Sequence, residues 1–226
     1  MWMVIAACLV GAILVLTVGK TDVLLQQKAQ VDHNPNAHAL ARVLSSRSDL
    51  NFAVPLSIGI WVCGAAIGRV RLRKLGLACL MATLLGGLIV LVFRMGTGRP
   101  RPNIAQPYTT LADGFYGPHW DNDYRSFPSG HATTSSATAA SLAGAIPVLT
   151  VPGVVYAVAV SWSRLQLDKH HPIDVTVGAT VGTLTGLCFA GGVPGARIRL
   201  RRRRRKRVAL QRRDAVEQEE TEGTEI

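Results

Sequence analysis

Cysteine is scarce in this chain of 226 residues, and the four present (Cys8, Cys63, Cys79 and Cys188) all fall inside apolar stretches without metal-site spacing. That excludes a zinc module or a disulfide framework and leaves the cysteines as small core or lipid-facing residues. Charge is missing from long segments: residues 1–19, 75–93, 131–149 and 175–193 carry no Asp, Glu, Lys or Arg. Runs of that length and composition define an integral membrane protein rather than a soluble basic one, although the formal net charge is +11. A basic n-region and a clear small-x-small site before Lys20 are also lacking, so residues 1–19 are expected to be a retained span and not a cleaved leader. No internal repeat is found.

The apolar segments predict six transmembrane helices in one all-α bundle: 1–19, 51–68, 75–93, 131–149, 152–163 and 175–193. The second is interrupted early by Pro55. The fourth is rich in Ala, Ser and Thr, which let membrane helices approach closely, and is expected at the centre. The fifth is short, so its boundary with the fourth is the least defined. Between the first two spans, Asn34–Pro35–Asn36 signals a helix start. Leu40, Val43 and Leu44 then recur at helical spacing, as in a short helix at the membrane surface. His33 and His38 are expected to be solvated. Arg69, Arg71, Arg73 and Lys74 are predicted to form a short basic loop.

From Arg197 onward the chain has eleven basic and six acidic residues. The basic block abuts a span, so it reads as an anchor on anionic lipid and not as a nucleic-acid arm, and the acidic end reads as a disordered tail. The chain thus divides into a six-span domain, 1–196, and a cytoplasmic tail, 197–226. Six spans put both termini on one side. With the basic loop and basic tail sharing that side, the positive-inside rule makes it cytoplasmic. The polar segments 20–50, 94–130 and 164–174 then lie together on the extracytoplasmic face.

Three of the polar stretches carry chemistry. Arg94–Met95–Gly96–Thr97–Gly98–Arg99–Pro100–Arg101–Pro102 sets Arg94 and Arg101 seven residues apart at the mouth of a span, a placement that suits a grip on an anion and snorkelling to the interface equally. Phe127–Pro128–Ser129–Gly130–His131 is a turn at a helix N-terminus, which aims backbone N–H groups at an anion and places a histidine able to protonate a leaving oxygen. Ser163–Arg164 through Asp174 combines a guanidinium, whose fork fits phosphate, with His170, whose ring can attack phosphorus if a carboxylate holds its other nitrogen. His170 is preferred to His171 as nucleophile because it stands four residues before Asp174. His171 and Asp168 read as ordinary polar loop residues.

In this order the three segments resemble the signature of the type 2 phosphatidic acid phosphatase superfamily, which includes membrane lipid phosphate phosphatases, soluble bacterial acid phosphatases and vanadium haloperoxidases. Its pattern is Lys, six residues, Arg-Pro; then Pro-Ser-Gly-His; then Ser-Arg, five residues, His, three residues, Asp. The chain matches at Arg101–Pro102, Pro128 to His131, Ser163, Arg164, His170 and Asp174, and departs at Arg94, which stands where the family has lysine. The resemblance implies metal-independent phosphoryl transfer without a cofactor. Arg94, Arg101 and Arg164 with the Ser129 and Gly130 amides would hold phosphate, His170 oriented by Asp174 would become a phosphohistidine, and His131 would act as acid and then base. It further implies a cell-membrane lipid phosphatase working at the outer leaflet. Undecaprenyl or decaprenyl diphosphate is the preferred substrate and phosphatidic acid or phosphatidylglycerol phosphate the alternative. Halide oxidation on the same anion cage fits poorly with six spans, because the haloperoxidases are soluble. A non-catalytic membrane scaffold is the competing reading from outside catalysis.

Overall fold

The computed structural model describes Asp22, residues 34–104 and residues 114–193. Among the described residues every regular element is helical: α1 (Pro35–Ser46), α2 (Leu50–Ala66), α3 (Val70–Thr97), α4 (Gly130–Ala145), α5 (Thr150–Gln166) and α6 (Pro172–Ala190), with 3-10 turns at Asn122–Tyr124 and Pro147–Leu149. The first expected span and the tail from 197 lie outside the described residues. Three helical stretches, Val70–Thr97, Pro147–Gln166 and Pro172–Ala190, are long and apolar enough to cross a membrane. α1 and α2 together, bent by 51°, would make a fourth if they are one broken span. The sequence reading of six spans is therefore met only in part.

Local chemistry sets the helix ends. Asn34 caps α1 by accepting from the Asn36 amide at 2.9 Å, with Pro35 at the first helical position, as the Asn-Pro-Asn signal requires. Asp49 caps α2 by accepting from the Phe52 amide at 3.2 Å. Pro55 lies inside α2, where it removes the bond that its N–H would give the Asn51 carbonyl, yet the helix runs through it. The expected basic loop is corrected: Gly68, at φ 68°, ends the link from α2, and α3 begins at Val70, so Arg71, Arg73 and Lys74 are helical. Arg and Lys are good helix formers, and Arg71 finds a partner by donating to the Ala145 carbonyl at 2.6 Å, at the end of α4.

α4 is the centre of the bundle, with eleven of its sixteen residues buried and α3, α5 and α6 all packed on it. Lipid tails are as apolar as leucine, so close backbone contact must supply the association energy that hydrophobic burial supplies in water. α6 meets this need with Gly182, where a Cβ would run into the Thr133 carbonyl. Thr133 closes the contact by donating to the Gly178 carbonyl at 2.9 Å. α1 packs its small residues, Ala41 and Ser45, inward and leaves Leu40 and Val43 exposed, so the apolar residues of its surface pattern face away from the protein.

Candidate active site

The segments that the sequence singles out converge at the ends of α3 and α5 and the starts of α4 and α6. α3 ends at Gly98, whose φ of 56° and contact with Gly117 leave no room for a side chain. One turn before that end, Arg94 donates from Nε to the Pro128 carbonyl at 2.8 Å, and its guanidinium lies against Gly130. Arg94 is thereby fixed over the turn that opens α4. Ser129 caps that helix, its hydroxyl accepting from the Ala132 amide at 3.4 Å. The Ser129 amide is already committed to the Asp174 carbonyl at 2.9 Å, so the amide pair expected to face an anion narrows to Gly130 at this turn. α6 is thus tied directly to the start of α4.

His170 sits between α5 and α6 with 1% of its surface exposed. The chain reaches it through Asp168, at φ 51°, a left-handed position that aspartate tolerates. Its Nδ1 lies 2.7 Å from the Ser126 carbonyl and 3.8 Å from Asp174 Oδ2. The closest partner of His170 Nδ1 is thus a backbone oxygen, with the Asp174 carboxylate behind it at ion-pair distance. A carbonyl accepts only, so Nδ1 carries the proton and Nε2 holds the free lone pair. Burial is the main influence on His170 and drives its pKa down to about 3, with Asp174 opposing; the ring is neutral at physiological pH.

Asp174 is fully buried and saturated with donors. Oδ2 accepts from the Ser126 hydroxyl at 2.6 Å and the His171 amide at 2.9 Å, while Oδ1 accepts from Arg99 Nη1 at 2.5 Å. Ser126 thus touches both members of the pair, its carbonyl on His170 and its hydroxyl on Asp174. His171 is no idle loop residue: it is buried, with Nε2 3.2 Å from the Pro100 carbonyl, and burial lowers its pKa as well. Removing one partner from so enclosed a charge cluster costs about 3–5 kcal/mol.

The cations complete the site. Arg164, in the last turn of α5, is buried and donates from Nη1 to the Ser45 hydroxyl of α1. Arg101 donates from Nε to the Asn122 carbonyl at 3.0 Å. Burial pulls its pKa below the ordinary arginine value against the attraction of Asp123 and Asp174. Arg94, Arg101 and Arg164 lie within electrostatic range of one another and of His131. Asp49, Asp123 and Asp174 act on them from a distance, but among the described residues none of the three arginines makes an ion pair, and three cations so held make a strong anion trap. His131 lines a cavity of about 470 Å³ together with Gly130, Asp49 and, along α3, Leu84, Leu88, Leu91 and Arg94. The sequence reading did not single out Ser126, Arg99 or Asp22. Arg99 carried one available signal, since it opens an Arg-Pro pair identical to the neighbouring Arg101–Pro102.

These features define a helical membrane protein with a buried, cation-rich site at one end of apolar helices. Residues 75–197, just over half of the chain, match the model of the PAP2 superfamily, and the chain belongs to that family. It is 31% identical over 108 residues to a lipid A 1-phosphatase of Rhizobium johnstonii, covering 46% of this chain and 43% of the relative. It is 42% identical over 78 residues to a decaprenylphosphoryl-5-phosphoribose phosphatase of Mycobacterium tuberculosis, covering 34% and 42%. The match to the undecaprenyl-diphosphatase BcrC of Bacillus subtilis is 25% over 157 residues, covering 70% and 75%. The chain thus aligns with less than half the length of the first two of these relatives. In fold it is similar to a transmembrane PAP2 type phosphatidylglycerolphosphate phosphatase from Bacillus subtilis, with a TM-score of 0.65, 22% identity and coverage of 84% of this chain and 96% of that one.

Proposed function

We propose that this protein is an integral-membrane phosphatase that removes phosphate from a lipid phosphate through a phosphohistidine. The observation that carries the reading is the interlock at residues 126–130. This turn is bonded on one side to Arg94 and on the other to His170 and Asp174, so a phosphate resting on it meets a cation and a neutral histidine together. Arg94, Arg101 and Arg164 with the Gly130 amide hold the phosphoryl oxygens and stabilise the charge that gathers on them in the transition state. His170 Nε2 forms the bond to phosphorus as the bridging oxygen (anhydride in a diphosphate, ester in a monoester) departs with the proton of a protonated His131. His131 then takes a proton from water, whose oxygen displaces the histidine and releases phosphate. Three guanidiniums supply the positive charge, and the mechanism asks for no metal ion and no cofactor.

Leu84, Leu88 and Leu91, which line the cavity with His131, would take the start of a lipid tail whose phosphate meets Arg94. The favoured substrate is undecaprenyl or decaprenyl diphosphate, which the BcrC relationship supports; phosphatidic acid and phosphatidylglycerol phosphate are the alternatives. The proposed topology is six spans with both termini cytoplasmic, the site at the outer leaflet and the basic tail on anionic lipid. The test is phosphate release by the detergent-purified protein from a polyprenyl diphosphate, phosphatidic acid and phosphatidylglycerol phosphate, in EDTA, beside His170→Ala. EDTA-resistant release that disappears in the variant is expected. A folded wild-type protein that releases phosphate from none of them would exclude the lipid phosphatase reading, and release surviving in His170→Ala would exclude the mechanism.

A further inference from the structure

Asp22 lies far from every chemistry-bearing segment in sequence, yet it is fully buried and bonded into the site. Arg99 spreads its two terminal nitrogens between two carboxylates, Nη1 on Asp174 Oδ1 and Nη2 on Asp22 Oδ2, each at 2.5 Å. The other oxygen of Asp22, Oδ1, accepts from the Ile173 amide at 2.8 Å, in the first turn of the helix that carries Asp174. Asp22 therefore grips that helix twice, once through its backbone and once through Arg99. The guanidinium also lies 5.3 Å from the Phe115 ring, which helps to hold its plane.

We propose that Asp22 and Arg99 are a positioning pair that fixes the Asp174 carboxylate and gives the region behind His170 a surplus negative charge. Among the described residues, one guanidinium against two carboxylates leaves one negative charge over, and every member is 2% exposed or less. A mechanical clamp alone would need no such surplus. The groups acting on His170 are Asp174 from α6, Arg94 from α3 and Arg164 from α5, with His131 of α4 in electrostatic range of it, while Asp22, Arg99 and Asp174 all act on its neighbour His171. Arg94 and Arg164, on the phosphate side, both oppose a positive imidazole. On the reading that His170 is the nucleophile, its ring becomes positive as Nε2 bonds to phosphorus. The Asp22–Arg99–Asp174 cluster is the charge that favours this state, and without Asp22 it is neutral.

The test uses the full-length detergent-purified protein and the fastest of the three lipids above, with intact sites counted by inorganic vanadate binding. Asp22→Asn removes the surplus charge; Arg99→Lys keeps the charge but cannot span both carboxylates. Per vanadate-binding site, both variants are expected to lose about tenfold or more in kcat with KM held within about twofold. The acid limb of kcat/KM should move to lower pH in Asp22→Asn, because a protonated His170 is less favoured there, and should stay in place in Arg99→Lys. Arg99→Lys also tests the positioning role by itself should Asp22→Asn fail to accumulate. A per-site kcat equal to wild type in both variants, with superimposable pH profiles, would reduce the pair to a folding element and overturn the proposal. That result requires an active wild type, whereas a wild type that turns over no lipid would strike down the phosphatase reading itself.

Discussion

Ser126→Ala isolates a residue that the family signature does not contain. The change deletes the hydroxyl that donates to Asp174 Oδ2 at 2.6 Å and keeps the carbonyl that faces His170 at 2.7 Å. The site is fully buried, so water cannot replace the lost donor at once. A hydrogen bond to a buried charged group contributes about 1.5–3 kcal/mol. The carboxylate keeps Arg99 and the His171 amide, which places the loss at the lower end, about 2 kcal/mol. If Asp174 works by steadying His170 electrostatically across 3.8 Å, most of that energy is felt in the transition state. A loss of about 2 kcal/mol corresponds to roughly a thirtyfold fall in kcat. The assay is steady-state phosphate release with unfolding followed in the same detergent. A variant destabilised by about 2 kcal/mol but with wild-type kcat would refute the reasoning and confine Asp174 to a structural role.

Arg94→Lys restores the family residue, but one ammonium cannot bond the Pro128 carbonyl and reach across Gly130 as the guanidinium does. A roughly tenfold fall in kcat/KM is expected, and an equal or higher value would show that the fork is not used. His170 titrates near 3 in the folded protein and near 6.5 when unfolded, so its contribution to stability is complete above pH 6.5 and is lost as pH falls toward 3. Unfolding followed from pH 7 to pH 4 should show stability declining by up to about 1.4 kcal/mol per pH unit from this group, with His171 adding in the same direction, and His170→Gln should flatten the slope. Gly182→Val forces a branched side chain into the Thr133 carbonyl and should cost about 1–3 kcal/mol in thermal or denaturant unfolding, while the same change at Gly59, which has open space around it, should cost less than half as much.

The local parts of this structure were legible because local rules govern them. Asn34–Pro35 marks the start of α1, and the Ala, Ser and Thr content of α4 marks the central helix. The three chemistry-bearing segments could be read together because each has fixed spacing between charged or nucleophilic residues. What escaped depends on contacts that spacing cannot encode. The Ser126 carbonyl bonds His170, but a backbone oxygen has no signature in sequence. Asp22 reaches Ile173 across 151 positions and can be placed only once the helices are packed. Its one sequence-level signal is that a lone carboxylate beside an apolar run is costly unless partnered. The Arg69–Lys74 stretch read as a loop because its charges interrupt an apolar pattern, yet arginine and lysine extend α3 without strain.

The central claim is that phosphate passes through His170. It is tested most directly by mixing the protein with a radiolabelled lipid phosphate, quenching within milliseconds in alkali, and mapping the protein-bound label by mass spectrometry. The account predicts an acid-labile, alkali-stable label on the peptide bearing His170, present in wild type and absent from His170→Ala. Full turnover with no covalent label under the fastest quench, or a label on any other residue, would contradict it.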